Sequence, residues 1–160
     1  MPVTLEELLT SRDLRAAHQK DLLGAYPGKS LLCMTVQLPG PVKRNALSLA
    51  IARAGVAAVR ESFPIDYEEL KDLETGFEGY FVLPLAATDA KRLACQIEDT
   101  HPLGRLMDLD VVGLGREALG LPPRRCLLCG NEVRYCMRAH THTREELLSK
   151  IEQMVKEYEL

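Results

Sequence analysis

Asp108 and Asp110 stand two residues apart in the run Gly104-Arg105-Leu106-Met107-Asp108-Leu109-Asp110-Val111-Val112, which is otherwise mostly apolar and strand-like. Alternate side chains of a strand share a face, so the spacing predicts Asp108, Asp110 and Val112 on one side and Met107, Leu109 and Val111 turned into a core. Two carboxylates on one face repel. Water relieves this on an open surface, a raised pKa relieves it in a closed one, and a divalent cation relieves it where both acids stay ionised. Gly104 and Arg105 just upstream add a flexible backbone and a guanidinium, whose planar donors suit phosphate oxygens. The combination points to metal-dependent phosphoryl or nucleotidyl transfer, with ions spanning Asp108, Asp110 and the substrate phosphates and Arg105 gripping phosphate oxygens. A solvated edge strand produces the same short Asp-x-Asp pattern, so the surrounding chain has to supply the context.

A second group of chemically able residues follows Leu121-Pro122-Pro123-Arg124-Arg125. Cys126 and Cys129 form a Cys-x2-Cys pair, with Cys136 and His142 downstream, a set of thiolates and an imidazole that suits tetrahedral zinc. The spacing is not that of a standard finger. The competing reading is a cysteine-containing loop whose arginines, Arg124, Arg125, Arg134 and Arg138, hold substrate phosphates. His101 lies close in sequence to the paired aspartates, either as a general acid or base or as a surface cap on a helix end. Lys43 and Arg44 follow the turn Pro39-Gly40-Pro41, where a strand end aims them at an anion or an ordinary loop carries them. Arg12 and Arg15 belong to a solvated helix face or reach a phosphate.

The elements that must position these groups are read from periodicity and caps. Thr4-Leu5-Glu6-Glu7 has capping-box spacing, and a helix is expected to about Leu23 with Leu5, Leu8 and Leu9 inward. Ser30 to Leu38 reads as a buried strand, and Asn45 as the cap of a helix reaching roughly Ser62. The acidic segment from Pro64 to Gly79 is expected to be a loop with a short helix over Tyr67 to Leu73. A second strand follows over Gly79 to Leu85, then a helix from Thr88 or Asp89 that ends by His101-Pro102 with Ala90, Leu93, Ala94 and Ile97 inward. Thr143-Arg144-Glu145-Glu146 opens a last packing helix with a stripe of Leu147, Leu148, Ile151, Met154, Val155 and Tyr158. Cys33 and Cys95 read as core residues. The order predicts an α+β fold, a mixed sheet flanked by helices, in a single domain spanning 1–160 with the Cys/His segment at 124–142.

Composition narrows the function classes. A net charge of −3 gives no sign of general nucleic-acid affinity, although a local anion site is compatible with it. The chain has no apolar run long enough to span a bilayer and its start lacks a signal-peptide pattern, so it is expected in the cytoplasm with no membrane partner. Five cysteines, an odd number, favour reduced thiols or metal ligands over a disulfide framework.

Taken together, these blocks resemble one family over nearly the full chain. They are Glu7-Leu8-Leu9 through Ser11-Arg12-Asp13 and Arg15, Pro39-Gly40-Pro41 with Lys43, His101-Pro102-Leu103-Gly104-Arg105-Leu106 with Asp108 and Asp110, and Leu121 to Cys129 with Cys136, Arg138 and Thr141-His142. The chain is similar to citrate lyase holo-[acyl-carrier protein] synthase, also called apo-citrate lyase phosphoribosyl-dephospho-CoA transferase. The resemblance implies a nucleotidyltransferase-like enzyme whose donor is 2'-(5''-triphosphoribosyl)-3'-dephospho-CoA. Its acceptor is a serine of the apo acyl-carrier subunit of citrate lyase, and diphosphate leaves. On that reading Asp108 and Asp110 hold Mg2+, His101 is a candidate base, and Lys43, Arg105, Arg125 and Arg138 bind the donor. Two alternatives stay open: a non-catalytic zinc-binding interaction module, and a related nucleotidyltransferase with another acceptor.

Overall fold

The computed structural model describes residues 1–36 and 38–160. In chain order these form α1 (Leu5–Ala25), β1 (Ser30–Val36), α2 (Ala46–Ser62), β2 (Tyr67–Leu73), β3 (Gly76–Leu83), α3 (Ala87–Thr100), β4 (Met107–Val111), α4 (Val133–Ala139) and α5 (Arg144–Glu159), with short 3-10 turns at Gly104–Leu106 and Glu117–Leu119. Gln37, expected in the first strand, lies outside the described residues. The strands form one sheet in the order β2-β3-β1-β4. The expected α+β architecture is present, but every pairing is antiparallel, not mixed. The two-residue loop Glu74-Thr75 closes β2 onto β3 as a hairpin, with Leu73 opposite Gly76, and that reversal sets the direction of the rest.

The hairpin also corrects the reading of Tyr67 to Leu73, which is a strand and not a short helix in a loop. Charges fall on both of its faces and none of its residues is buried, so the apolar alternation that marks a half-buried strand is missing. Pairing with β3 along its whole length holds it, helped by Arg44, which grips Asp72 through two contacts of 2.8 Å. A charged edge strand of this kind also resists pairing with another chain.

β1 is buried along its whole length because both faces of the sheet are covered. Leu32, Met34 and Val36 join Phe81, Leu83, Met107, Leu109 and Val111 in a large core beneath α2, α3 and α5. The second face carries a smaller cluster, Leu31, Cys33, Tyr80 and Val82, under Leu22 of α1. The expected inward face of α1 is not observed. Leu5 is 72% and Leu9 49% exposed, and Leu22 is the helix's buried residue. Helix α1 therefore packs through its C-terminal end, and its N-terminal half is left to border a cleft. The capping boxes at Thr4, Asn45 and Thr143 all form. Each satisfies backbone N–H groups that a helix start leaves unpaired. No helix of the described residues is long and apolar enough to cross a membrane.

The outer edge of β4 is occupied by side chains. Leu109 N–H donates to Glu98 Oε2 at 2.9 Å, Lys91 Nζ donates to Leu109 O at 3.4 Å, and Arg124 donates to Met107 O and Gly104 O at 2.9 Å each. A strand edge left open would expose these backbone groups to another chain. Here they fix β4 against α3 and against the segment leading into the cysteines. Gly104 makes the approach possible, since a Cβ there would stand 2.5 Å from Glu98 O.

Candidate active site and metal centre

β4 alternates as its sequence predicts. Met107, Leu109 and Val111 are buried and Asp108 and Asp110 are exposed on the opposite face, the one shared with α1. The register sets Asp108 opposite Thr35 and Asp110 opposite Cys33. The surroundings of Asp110 raise its pKa above the ordinary carboxylate value. Desolvation is the main cause, offset by Lys91 and Arg15 and reinforced by Glu98. Two exposed carboxylates on one strand face supply the number of protein ligands that Mg2+ commonly uses when phosphates and water complete its shell.

Asp108 borders a groove of about 270 Å³ at the β4 edge, shared with Arg105, Arg124, Leu127 and Ile151. Arg105 is the less committed of the two arginines. Its Nε is buried with no hydrogen-bond partner, and its proton affinity is lowered by desolvation and by the neighbouring Arg124. Arg124 is held by the backbone of the β4 edge and lies 3.6 Å from Glu98, whose other oxygen pairs with Arg116 at 2.7 Å. Sequence reasoning weighed Arg124 only as a phosphate ligand; its hydrogen bonds make it a brace for the strand that carries the acids.

On the α1 side of the sheet Thr35 lines a second, smaller cleft together with Ser11, Arg12, Arg15, Lys43 and Thr75. Lys43 Nζ donates to Leu38 O at 2.6 Å. Arg15 lies 3.5 Å from the buried Glu78, which also accepts a hydrogen bond from Tyr80. The structure thus brings Lys43 to the face that carries the aspartates and Arg105 to the adjoining edge. It does not bring Arg125 or Arg138 to either cleft. Both are exposed on the cysteine segment, where Arg125 donates to Gly130 O at 3.3 Å. His101 caps α3 on the helical side. Its Nδ1 accepts from Leu103 N–H at 2.9 Å, its ring lies 5.4 Å from that of Tyr158, and desolvation lowers its pKa.

The cysteine segment folds into a short knuckle before α4. Cys126 N–H donates to Asn131 O at 2.7 Å, Val133 N–H to Arg124 O at 2.9 Å, and Leu128 N–H to Cys126 Sγ at 3.4 Å. His140, at φ 49°, terminates α4 in the left-handed region and turns the chain back toward His142. One donor atom from each of Cys126, Cys129, Cys136 and His142 lies within 4.8 Å of every other. Cys129 Sγ and Cys136 Sγ are 3.5 Å apart. The Asn131 backbone N–H, followed by neighbouring side chains, holds the Cys129 thiol well below its ordinary range, while desolvation pushes Cys136 up. His142 Nε2 is buried without a hydrogen-bond partner. Four convergent sulfur and nitrogen donors of this kind can hold a metal ion.

With the geometry in place, the comparisons are specific. The family model described as apo-citrate lyase phosphoribosyl-dephospho-CoA transferase matches residues 3–158. "Protein CitXG" of Haemophilus influenzae is 36% identical over 98% of this chain, which spans 36% of that longer protein. The apo-citrate lyase phosphoribosyl-dephospho-CoA transferase of Escherichia coli O1:K1 / APEC is 36% identical over 97% of this chain and 90% of its own length. The probable apo-citrate lyase phosphoribosyl-dephospho-CoA transferase of Vibrio cholerae serotype O1 (strain M66-2) is 36% identical over 99% of this chain and 94% of its own. A family match across almost every residue, agreeing with curated relatives of similar length, leads to one conclusion: the chain belongs to the apo-citrate lyase phosphoribosyl-dephospho-CoA transferase family.

Proposed function

We propose that this protein is a nucleotidyltransferase that attaches the 2'-(5''-phosphoribosyl)-3'-dephospho-CoA group to a serine of the apo acyl-carrier subunit of citrate lyase. The observation that carries the reading is the placement of Asp108 and Asp110, exposed together on one strand face, with Arg105 at the adjoining edge. The serine Oγ attacks the phosphorus of the donor's triphosphate that is bonded to ribose. The bond from that phosphorus to the bridging oxygen breaks, diphosphate carries the electron pair away, and a phosphodiester remains. The serine proton passes to a carboxylate outside the metal pair or to His101 as base. Mg2+ bound by Asp108 and Asp110 would neutralise charge developing on the phosphates. Arg105 and Lys43 are the donor-binding cations of this reading, with Arg125 and Arg138 reserved for contacts outside the two clefts.

The thiolate-imidazole set of Cys126, Cys129, Cys136 and His142 fits Zn2+ in a closed, structural coordination sphere. The same cluster favours the second reading, a zinc module that docks on a partner without chemistry. Free thiols throughout the described chain accord with a reducing cytoplasm. Incubating the protein with donor, Mg2+ and apo carrier proteins, then measuring carrier mass and released diphosphate, tests the proposal. A mass gain confined to the citrate lyase carrier supports it. A gain on another carrier redirects the acceptor, and none with any carrier leaves the docking module.

A further inference from the structure

Arg12, Lys43 and Arg144 come from three separate parts of the fold, α1, the loop after β1 and the first residue of α5, and the charges of both arginines act on Lys43. Arg12 and Lys43 share the wall of one cleft. Arg144 crosses the same loop at Gly40, which has φ +85° and whose Cβ, if present, would stand 2.9 Å from Arg144 Cδ. A side chain at that position would therefore displace the arginine. Among the described residues none of the three cations has a carboxylate partner, in contrast to Arg44 with Asp72, Arg60 with Glu68 and Arg116 with Glu98. Lys43 is half-buried, and its proton affinity is lowered by desolvation, then by Arg12 and Arg144. Like charges gathered at a concave surface without counter-ions are unfavourable unless an anion completes them. The cleft is small, about 70 Å³, and adds hydroxyls that can donate to oxygen: Thr35, and the pair Ser11 and Thr75, whose oxygens are 3.1 Å apart.

We propose that this cleft binds the terminal phosphates of a polyphosphate, with Arg12 and Lys43 as the principal ligands and Arg144 closing the side toward α5. The inference rests on the transferase reading for its substrate: the cleft takes the diphosphate that leaves, and the phosphorus under attack lies toward Asp108. Thr35 provides the continuity. It lines the cleft and stands opposite Asp108 in the sheet. Side chains in such a pair start about 5 Å apart. Arg12 and Arg144 thereby become ligands of the leaving group.

The test is calorimetric titration of inorganic diphosphate into the full chain without Mg2+. Wild type should bind, and Arg12→Ala and Lys43→Ala should each weaken binding on the order of tenfold, about 1.4 kcal/mol. Lys20→Ala, which removes an exposed cation of the same helix outside the cleft, should leave it unchanged. Arg12 is exposed, so its variant keeps the test valid if Lys43→Ala disturbs the loop. No binding by wild type, unchanged binding in Arg12→Ala, or an equal loss in Lys20→Ala overturns the proposal. The transfer reading is scored separately. Asp108→Asn should still bind diphosphate; if it also transfers normally while Arg12→Ala has lost diphosphate, the anion site stands and the transfer site does not.

Discussion

Thr35 of β1 lies directly across from Asp108 of β4 in the antiparallel register. That pairing connects two features far apart in sequence, the exposed acids and the cationic cleft, because Thr35 faces both. An acid pair alone is compatible with a solvated edge. An acid pair beside unpaired cations has the charge arrangement that a metal-polyphosphate complex requires.

The Cys/His cluster should be separable from the sheet. The knuckle and α4 contribute little to the main core, so removing a bound metal should loosen residues 126–142 and leave the sheet, with Arg124 on its edge, folded. Protein purified without chelator should carry one zinc per chain by elemental mass spectrometry. Cys129→Ser or a strong chelator should remove it and open the segment to limited proteolysis, with near-wild-type circular dichroism. Global unfolding on zinc loss would show that the knuckle is part of the folding core.

Glu98 should be the most expensive single residue near the site. It is buried, accepts the Leu109 N–H, pairs with Arg116 and lies beside Arg124. Glu98→Ala leaves the strand N–H of Leu109 without its acceptor and removes one of the two carboxylates on Arg116, which keeps Asp99 and the Pro122 carbonyl, at a cost of about 1–3 kcal/mol. Chemical denaturation should show that loss as a lower midpoint with an unchanged slope. A loss below about 1 kcal/mol would mean that the edge of β4 is held mainly by packing.

Asp110 should destabilise the fold near neutral pH. Its folded-state pKa is raised, chiefly by desolvation, so the native state holds a proton that the unfolded chain releases between the two values. The contribution of this group is therefore lost as pH rises across that window and recovered below the unfolded value of about 3.9. Asp110→Asn should raise Tm at pH 7, give a smaller gain below that window, and impair transfer. Thermal scans of both proteins across that pH range, paired with the transfer assay, give the check; an unchanged or lower Tm at pH 7 would contradict it.

Local signals made several elements legible. Asn45 and Ser48 form a reciprocal cap, and α2 begins at Ala46 and runs to Ser62 as its pattern predicts. β4 alternates, and the Cys126, Cys129, Cys136 and His142 side chains converge despite a spacing unlike a standard finger. What stayed hidden depended on pairing at a distance. β2 carries no apolar alternation because its place at the sheet edge leaves it charged on both faces. The leucines of the first turns of α1 suggested a buried face, but that half of the helix borders the cleft. The role of Arg144 was equally unreadable. Its partner surface is the loop at Gly40, more than one hundred residues away in the chain.

The central claim is tested most directly by the rate at which Asp108→Asn loads the apo acyl carrier, followed by carrier mass at several Mg2+ concentrations with circular dichroism matched to wild type. Asp108 is exposed, so the substitution should spare the fold. The account predicts a loss of roughly a hundredfold or more, about 3 kcal/mol of transition-state stabilisation. Transfer at the wild-type rate at every Mg2+ concentration would contradict it.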